Sequence, residues 1–159
     1  MLGDYMSALN QILDQRNISV RELSRLSNVH PNTLTKYIST GISSDCRLRV
    51  YWKIAVGLGI YVENLIYGIT WQPASDMVDT PITLYDAVDR KAVWLHTSHS
   101  DVHNQIRERL HLDDYATFSA YENYHWVPTV GNAIIIAEYL NCTIDALWGS
   151  YFRRKENAR

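Results

Sequence analysis

Apolar positions in this chain recur every three to four residues, so short helices are expected throughout; nothing alternates strongly enough for a strand. Near the N-terminus Leu9, Ile12 and Leu13 share one helix face, with Asp4 near the start and Arg16 near the end, each of the sign the helix dipole favours. Ser19-Val20-Arg21-Glu22 has the form of a capping box, which starts a second helix at Ser19 and runs it to about Ser27. Asn28 suits the left-handed residue of a tight turn, and Pro31 suits the first turn of a third helix reaching about Ile38. Gly41 and Ser43-Ser44-Asp45 read as a loop, followed by a fourth helix over about 46–58 and a short fifth over 62–67. The stretch 69–83, with Pro73 and Pro81, reads as a linker whose Trp71 and Met77 pack on the surface. Further helices are expected near 84–96, 101–110, 114–121, 129–140 and 144–148, then a solvated basic tail at Arg153-Arg154-Lys155.

The two series repeat one another. Ile54-Ala55 and Leu58 recur as Ile136-Ala137 and Leu140, and Val62-Glu63 and Leu65 as Ile144-Asp145 and Leu147, 82 residues further on. Upstream, the block 22–29 lies over 105–112, and Thr33-Leu34-Thr35-Lys36-Tyr37 lies over Thr117-Phe118-Ser119-Ala120-Tyr121. The chain reads as two diverged copies of a unit of roughly 65 residues.

With 47 % hydrophobic and 20 % charged residues in 159, the composition is that of a globular protein. No apolar run approaches the ~20 residues of a membrane span, and MLGDYMSALN lacks the basic start and apolar core of a signal peptide. A cytoplasmic protein without membrane association is expected. Asn17-Ile18-Ser19 and Asn141-Cys142-Thr143 are therefore not read as glycosylation sites, and Cys46 and Cys142 are read as small buried thiols. The net charge of −2 is unevenly spread. Residues 1–70 hold seven Lys and Arg against five acids, net +2, and residues 71–159 hold eight against twelve, net −4. A polyanion would meet the first half more readily than the second.

Two helices joined by a tight turn inside a five-helix unit form a helix-turn-helix arrangement. Ser19, Glu22, Leu23, Val29, Thr33, Thr35, Tyr37, Gly41, Ile54, Ala55 and Leu58 fall on the pattern of the lambda-repressor-like, XRE-type regulators. Ser24 stands there for Ala, Asn28 for Gly, His30 for Ser and Leu34 for Ile, and the first 68 residues resemble that family. The resemblance implies an all-α fold of two tandem five-helix lambda-repressor-like helix-turn-helix domains, 1–68 and 84–159, joined by the linker 69–83. It implies major-groove reading of double-stranded DNA by the third helix, which buries Val29, Leu34 and Tyr37 and turns Asn32, Thr35 and Lys36 outward. Asn can pair with adenine, Lys can donate to guanine, and Thr offers a hydroxyl or a methyl. His30, Thr33 and the helix N-terminus suit phosphates, and Arg21 is a further candidate for a base or phosphate contact. Pro31 stands where the family often reads a base; Arg47, Arg49 and Lys53 lean toward ordinary surface charge.

The second copy departs from this pattern. Its counterpart of the reading helix is Tyr115-Ala116-Thr117-Phe118-Ser119-Ala120-Tyr121-Glu122, preceded by Asp113-Asp114, whose carboxylates would repel phosphate and cap the helix. Its aromatic residues exceed what a small core needs, and Tyr115, Phe118, Tyr121, Tyr124 and Trp126 are candidates for a dimer or partner surface. His96, His99 and His103, with His111 beyond, have a spacing that could place two imidazoles on zinc, but without a nearby cysteine they read as polar helix-end histidines. Asp113-Asp114 and the pair Asp76/Asp79 read as caps and linker charge. No nucleophile elbow, phosphate loop or zincin motif occurs, so neither an enzyme nor a cofactor is expected. Two functions follow: a homodimeric transcriptional regulator of phage or bacterial type, whether repressor or activator, or a protein-binding inhibitor of anti-CRISPR-like layout with an autoregulatory DNA-binding domain and a C-terminal protein-binding domain.

Overall fold

Side-chain caps and left-handed residues divide the chain into helices. In a computed structural model that describes residues 5–40 and 46–158, these are α1 (Tyr5–Arg16), α2 (Val20–Ser27), α3 (Pro31–Thr40), α4 (Leu48–Leu58) and α5 (Val62–Tyr67). They are followed by α6 (Leu84–Trp94), α7 (His99–Arg109), α8 (Tyr115–Glu122), α9 (Val130–Leu140) and a π-helical turn (Asp145–Gly149) that runs on into α10 (Ser150–Asn157). Among the described residues there is no β-strand, so the fold is all-α; Val78 and Cys142 form an isolated bridge. No described helix is long and apolar enough to cross a membrane. Asp4, Gly41, Ser43, Ser44 and Asp45, which carry a dipole, a family-pattern and a loop expectation, lie outside the described residues.

The chain divides into two units, 1–73 and 74–159. In the first, α2 lies against α3 and α4, α1 against α3 and α5, and α4 against α5. Leu9, Leu23, Leu34, Leu48, Ile54 and Leu65 are fully buried between them. Arg16 ties the end of α1 to the end of α4 by donating to the Leu58 carbonyl at 2.5 Å. In the second unit α7 lies against α8 and α9, and α6 against α7, α8, α9 and the π-helical turn. Val88, Ile106, Phe118, Ile136, Trp148 and Phe152 form its core.

Several expectations change. Residues 69–73 belong to the first unit and 74–83 to the second, so the stretch read as a linker is divided between the two. Within the second unit, Val78 N–H donates to the Asn141 carbonyl and Ile82 N–H to the Ala146 carbonyl. The expected basic tail is helical: α10 buries Phe152, and Arg153 pairs with Asp145 at 3.0 Å. The Ser19–Glu22 box is half made, because Ser19 accepts from Glu22 N–H while the Glu22 carboxylate turns to Arg25. Both cysteines are free, Cys142 buried and Cys46 half-buried. Burial pushes the Cys142 thiol up to about 11.

Left-handed turns recur between the units at the register of the sequence repeat. Asn28 and His111, 83 residues apart, both have φ 56°, and Gly59 and Asn141, 82 apart, have φ 68° and 55°. Ile60 N–H closes back on Ala55, and Cys142 N–H on Ala137, again 82 apart.

One contact differs at matching positions. A Cβ on Gly57 would stand 2.9 Å from the carbonyl carbon and oxygen of Leu26, so α2 and α4 meet there backbone to backbone. At the matching place in the second unit α9 carries Tyr139 in place of glycine, and Arg109 of α7 lies over its ring at 4.4 Å. Gly57→Ala should therefore destabilise the first unit by about 1–3 kcal/mol, because the clash is with backbone that cannot rotate away. This outweighs the ~0.5–1 kcal/mol that alanine gains in a helix interior. Urea denaturation measures the difference; an unchanged or raised midpoint would contradict this packing.

Candidate functional site

The turn between α2 and α3 is held from both sides. Asn28 takes the left-handed conformation and its N–H donates to the Ser24 carbonyl at 2.9 Å, while the Ser24 hydroxyl donates to the Val29 carbonyl at 2.6 Å. Val29 and Leu34 are buried and Tyr37 is half-buried, packed 5.3 Å from the ring of Tyr51. The His30 carbonyl accepts from the N–H of Thr33 and Leu34, and its ring Nδ1 accepts from Asn32 N–H at 3.1 Å. His30 thus caps α3, and in the neutral ring the proton sits on Nε2.

At 100° per residue, Thr35, Ser39, Asn32 and Lys36 fall within a stripe about 100° wide, opposite buried Leu34. All four are exposed. The Thr35 hydroxyl donates to the Pro31 carbonyl at 3.0 Å, so its hydrogen is engaged while its lone pairs can still accept. Thr33 is half-buried and off the stripe; Arg21 is exposed on α2. Arg47 is exposed at the start of α4, with Arg49 and Lys53 half-buried. Ser39 is the member of the stripe that sequence reasoning missed. Its spacing of seven from Asn32 was a usable signal, but the helix was expected to end at Ile38.

The matching helix α8 carries different chemistry. Asp114 caps it, accepting from Ala116 N–H at 2.8 Å, and the Asp113 carbonyl accepts from Arg107. Of the five aromatic residues expected at a surface, Tyr115 and Trp126 are exposed, at 53 % and 54 %. Phe118 and Tyr121 are instead core residues, because α8 turns this face toward α7 and the edge of Phe118 meets the ring of His103 at 4.8 Å. Tyr124 is turned inward: its hydroxyl accepts from Leu84 N–H and donates to the Leu147 carbonyl, and its ring stacks on Tyr151. The larger exposed aromatic is Trp94, at 78 %, at the end of α6.

The histidines form a polar relay, not only helix ends. His99 sits between Asp89 and Glu122, with Nδ1 and Nε2 each 2.5 Å from a carboxylate oxygen. His103 is fully buried, 3.4 Å from the other Glu122 oxygen and 3.3 Å from the Ser119 hydroxyl, and it stacks on Tyr115 at 4.1 Å. His96 and His111 are exposed left-handed residues that follow the C-caps of α6 and α7. Among the described residues no group of three His, Cys, Asp or Glu is placed to hold a metal.

These surroundings split the two rings. Burial and the charge of Arg107 push His103 down to about 4. Burial also works against charge on His99, but the hydrogen bond to Asp89 and the charge of Glu122 outweigh it and raise the group. Burial holds the Glu122 carboxyl above its usual range, opposed by the charge on His99. A group lowered in the folded state loses its stabilisation as pH falls, so the His103 contribution should disappear between about 6.5 and 4. Relative to His103→Gln, the native protein should therefore lose up to about 3 kcal/mol on acidification through that window. His99 works the other way: its contribution is present below 6.5 and is lost as pH rises through its raised value. Denaturant midpoints of the native protein and the two single His→Gln variants at pH 4.5, 6.5 and 8.5 measure both effects; parallel pH profiles would contradict them.

No protein-family model matches the chain, and neither does any curated protein or any solved structure.

Proposed function

We propose that the protein is a sequence-specific DNA-binding transcriptional regulator of lambda-repressor-like type, built of two tandem helix-turn-helix units of which the second no longer reads DNA. The observation that carries this reading is the exposed stripe Asn32, Thr35, Lys36 and Ser39 on α3, held behind the left-handed turn at Asn28. It offers amide, hydroxyl and ammonium groups on one helix face, the donor and acceptor set that major-groove base edges match. The capped start of α3 at His30 and Thr33, and the exposed Arg21 on α2, supply groups suited to phosphates.

The tandem reading is supported by the recurring left-handed residues and by four helix pairings that repeat. The pairs α2–α3, α2–α4, α1–α3 and α1–α5 have the counterparts α7–α8, α7–α9, α6–α8 and α6 with the π-helical turn. Loss of reading by the second unit follows from α8, which starts at the carboxylate of Asp114 and has no Lys, Arg, Asn or Gln from 115 to 122. The protein acts in the cytoplasm as a homodimer, not as an enzyme, and its two reading helices enter major grooves about 34 Å apart.

Selection from a pool of random duplexes tests this reading. The native protein should enrich a twofold-related site with half-sites about one helical turn apart. Recovery of the pool without enrichment would reject sequence-specific recognition.

A further inference from the structure

His99 is the first residue of α7, and its ring lies between two other helices. Asp89 of α6 faces Nδ1 and Glu122 of α8 faces Nε2, each oxygen 2.5 Å from its nitrogen. A neutral imidazole has one N–H and one lone pair, and a lone pair that close to a carboxylate oxygen has no proton to share with it. Each gap needs a hydrogen, so the ring is an imidazolium held between two carboxylates. Tyr85, one turn before Asp89 on α6, stacks on the same ring with centroids 4.2 Å apart, a position that favours a cation. On α7 itself His103, one turn on, meets the second Glu122 oxygen at 3.4 Å, Arg107 lies over Tyr115, and Asp101 is turned to the Thr97 hydroxyl. Ser119 and Tyr115 of α8 reach His103, and Tyr139 of α9 meets α7 further along, at Gln105 and Arg109.

The first unit builds the matching places without charge. Ser19 and Ser98 cap α2 and α7 alike, accepting from Glu22 N–H and Asp101 N–H at 3.1 Å, so Val20 stands where His99 does. Fully buried Leu34 and Phe118 match α3 to α8 and put Ile38 in the place of Glu122. The turns after α1 and α6 close alike, Ile18 N–H on the Leu13 carbonyl and Thr97 N–H on the Ala92 carbonyl, which puts Asn10 in the place of Asp89. None of Asn10, Val20 and Ile38 ionises. Charged groups drawn out of water are a weak source of stability, and apolar residues of similar size often replace them without loss. The charged set is therefore not what the fold requires at these places; what it adds is a response to protons.

We infer that α6 and α7 are joined here by a proton-operated clasp, closed on Asp89 and Tyr85 while His99 is an imidazolium and released from both when the ring gives up its Nδ1 proton to solvent. Burial decides which side yields. The Asp89 side chain is 50 % exposed and turns to water, whereas Glu122 at 8 % is enclosed and keeps the Nε2–H of His99. Burial works against charge on His99, but the hydrogen bond to Asp89 and the charge of Glu122 outweigh it, so release falls on the alkaline side of an ordinary histidine. The clasp belongs to the second unit alone and does not depend on the DNA reading.

A pH titration of the full chain by ¹⁵N–¹H correlation of the imidazoles tests it, with the exposed His125 as the internal reference. In the native protein His99 should titrate above His125 and lose its Nδ1 proton while keeping Nε2–H. Cross-relaxation between the rings of Tyr85 and His99 should fade through the same midpoint. Asp89→Asn should weaken proton binding at His99 by about tenfold or more, as loss of an opposite charge in contact does. If that variant fails to fold, the native titration decides alone. A native His99 that titrates at or below His125, a Tyr85–His99 contact unchanged across the titration, or a folded Asp89→Asn protein with an unchanged midpoint overturns the inference.

Discussion

Replacing Asn32 and Lys36 together by alanine is expected to weaken binding to the protein's specific site by about 2–6 kcal/mol, taking ~1–3 kcal/mol for each good base contact. That is a loss of roughly 30-fold to 10⁴-fold in affinity. Both side chains are exposed on the face of α3 opposite Leu34, so the fold should tolerate their removal and circular dichroism should show the native helix content. Affinity for random duplex should fall much less, since that binding depends on phosphates and not on base edges. Fluorescence anisotropy with specific and random duplexes measures both. Equal losses on the two would make the residues phosphate contacts; no loss on either would remove α3 from the interface.

The second large effect lies in the C-terminal unit. Phe118→Ala should cost about 3–5 kcal/mol, as truncation of a fully buried phenylalanine does elsewhere, whereas Trp126→Ala should stay within about 0.5 kcal/mol. Phe118 is fully buried between His103 and Tyr121, and its loss leaves a void against the imidazole of His103, whose Nδ1 is already buried without a hydrogen-bond partner. Trp126 is more than half exposed. A urea titration of the two variants separates them. Comparable small effects would return Phe118 to the surface where sequence reasoning had placed it.

That misplacement shows where sequence reasoning loses its grip. The first unit was legible because its signals are local: Ser19 caps α2, Asn28 takes the turn, Pro31 opens α3, and the observed ends fall within two residues of those expected. In α8 apolar residues lie on every side, at Tyr115, Ala116, Phe118, Ala120 and Tyr121, so periodicity cannot choose an inner face; packing against α7 does. The start of α7 was set two residues late because Asp101 looks like a first residue, while the actual cap is Ser98, whose hydroxyl accepts from Asp101 N–H.

The relay of Asp89, His99, Glu122 and His103 joins α6, α7 and α8, and no local pattern announces a contact between residues 23 positions apart. The basic run 153–155 looked like a tail because its partner, Asp145, lies eight residues upstream across the π-helical turn. Nothing local announces the 78 % exposure of Trp94, because a helix-end tryptophan is ordinarily a packing residue.

The central claim is that the first unit reads DNA sequence. A salt titration of native protein binding to the duplex upstream of its own gene, against random duplex of equal length, tests it most directly. Binding to the upstream duplex should exceed random binding by about 10³-fold or more near physiological salt. Both affinities should fall log-linearly with salt as phosphate counterions are released. Equally weak binding to both duplexes at every salt concentration would contradict the account, and would leave the stripe on α3 an ordinary solvated helix face.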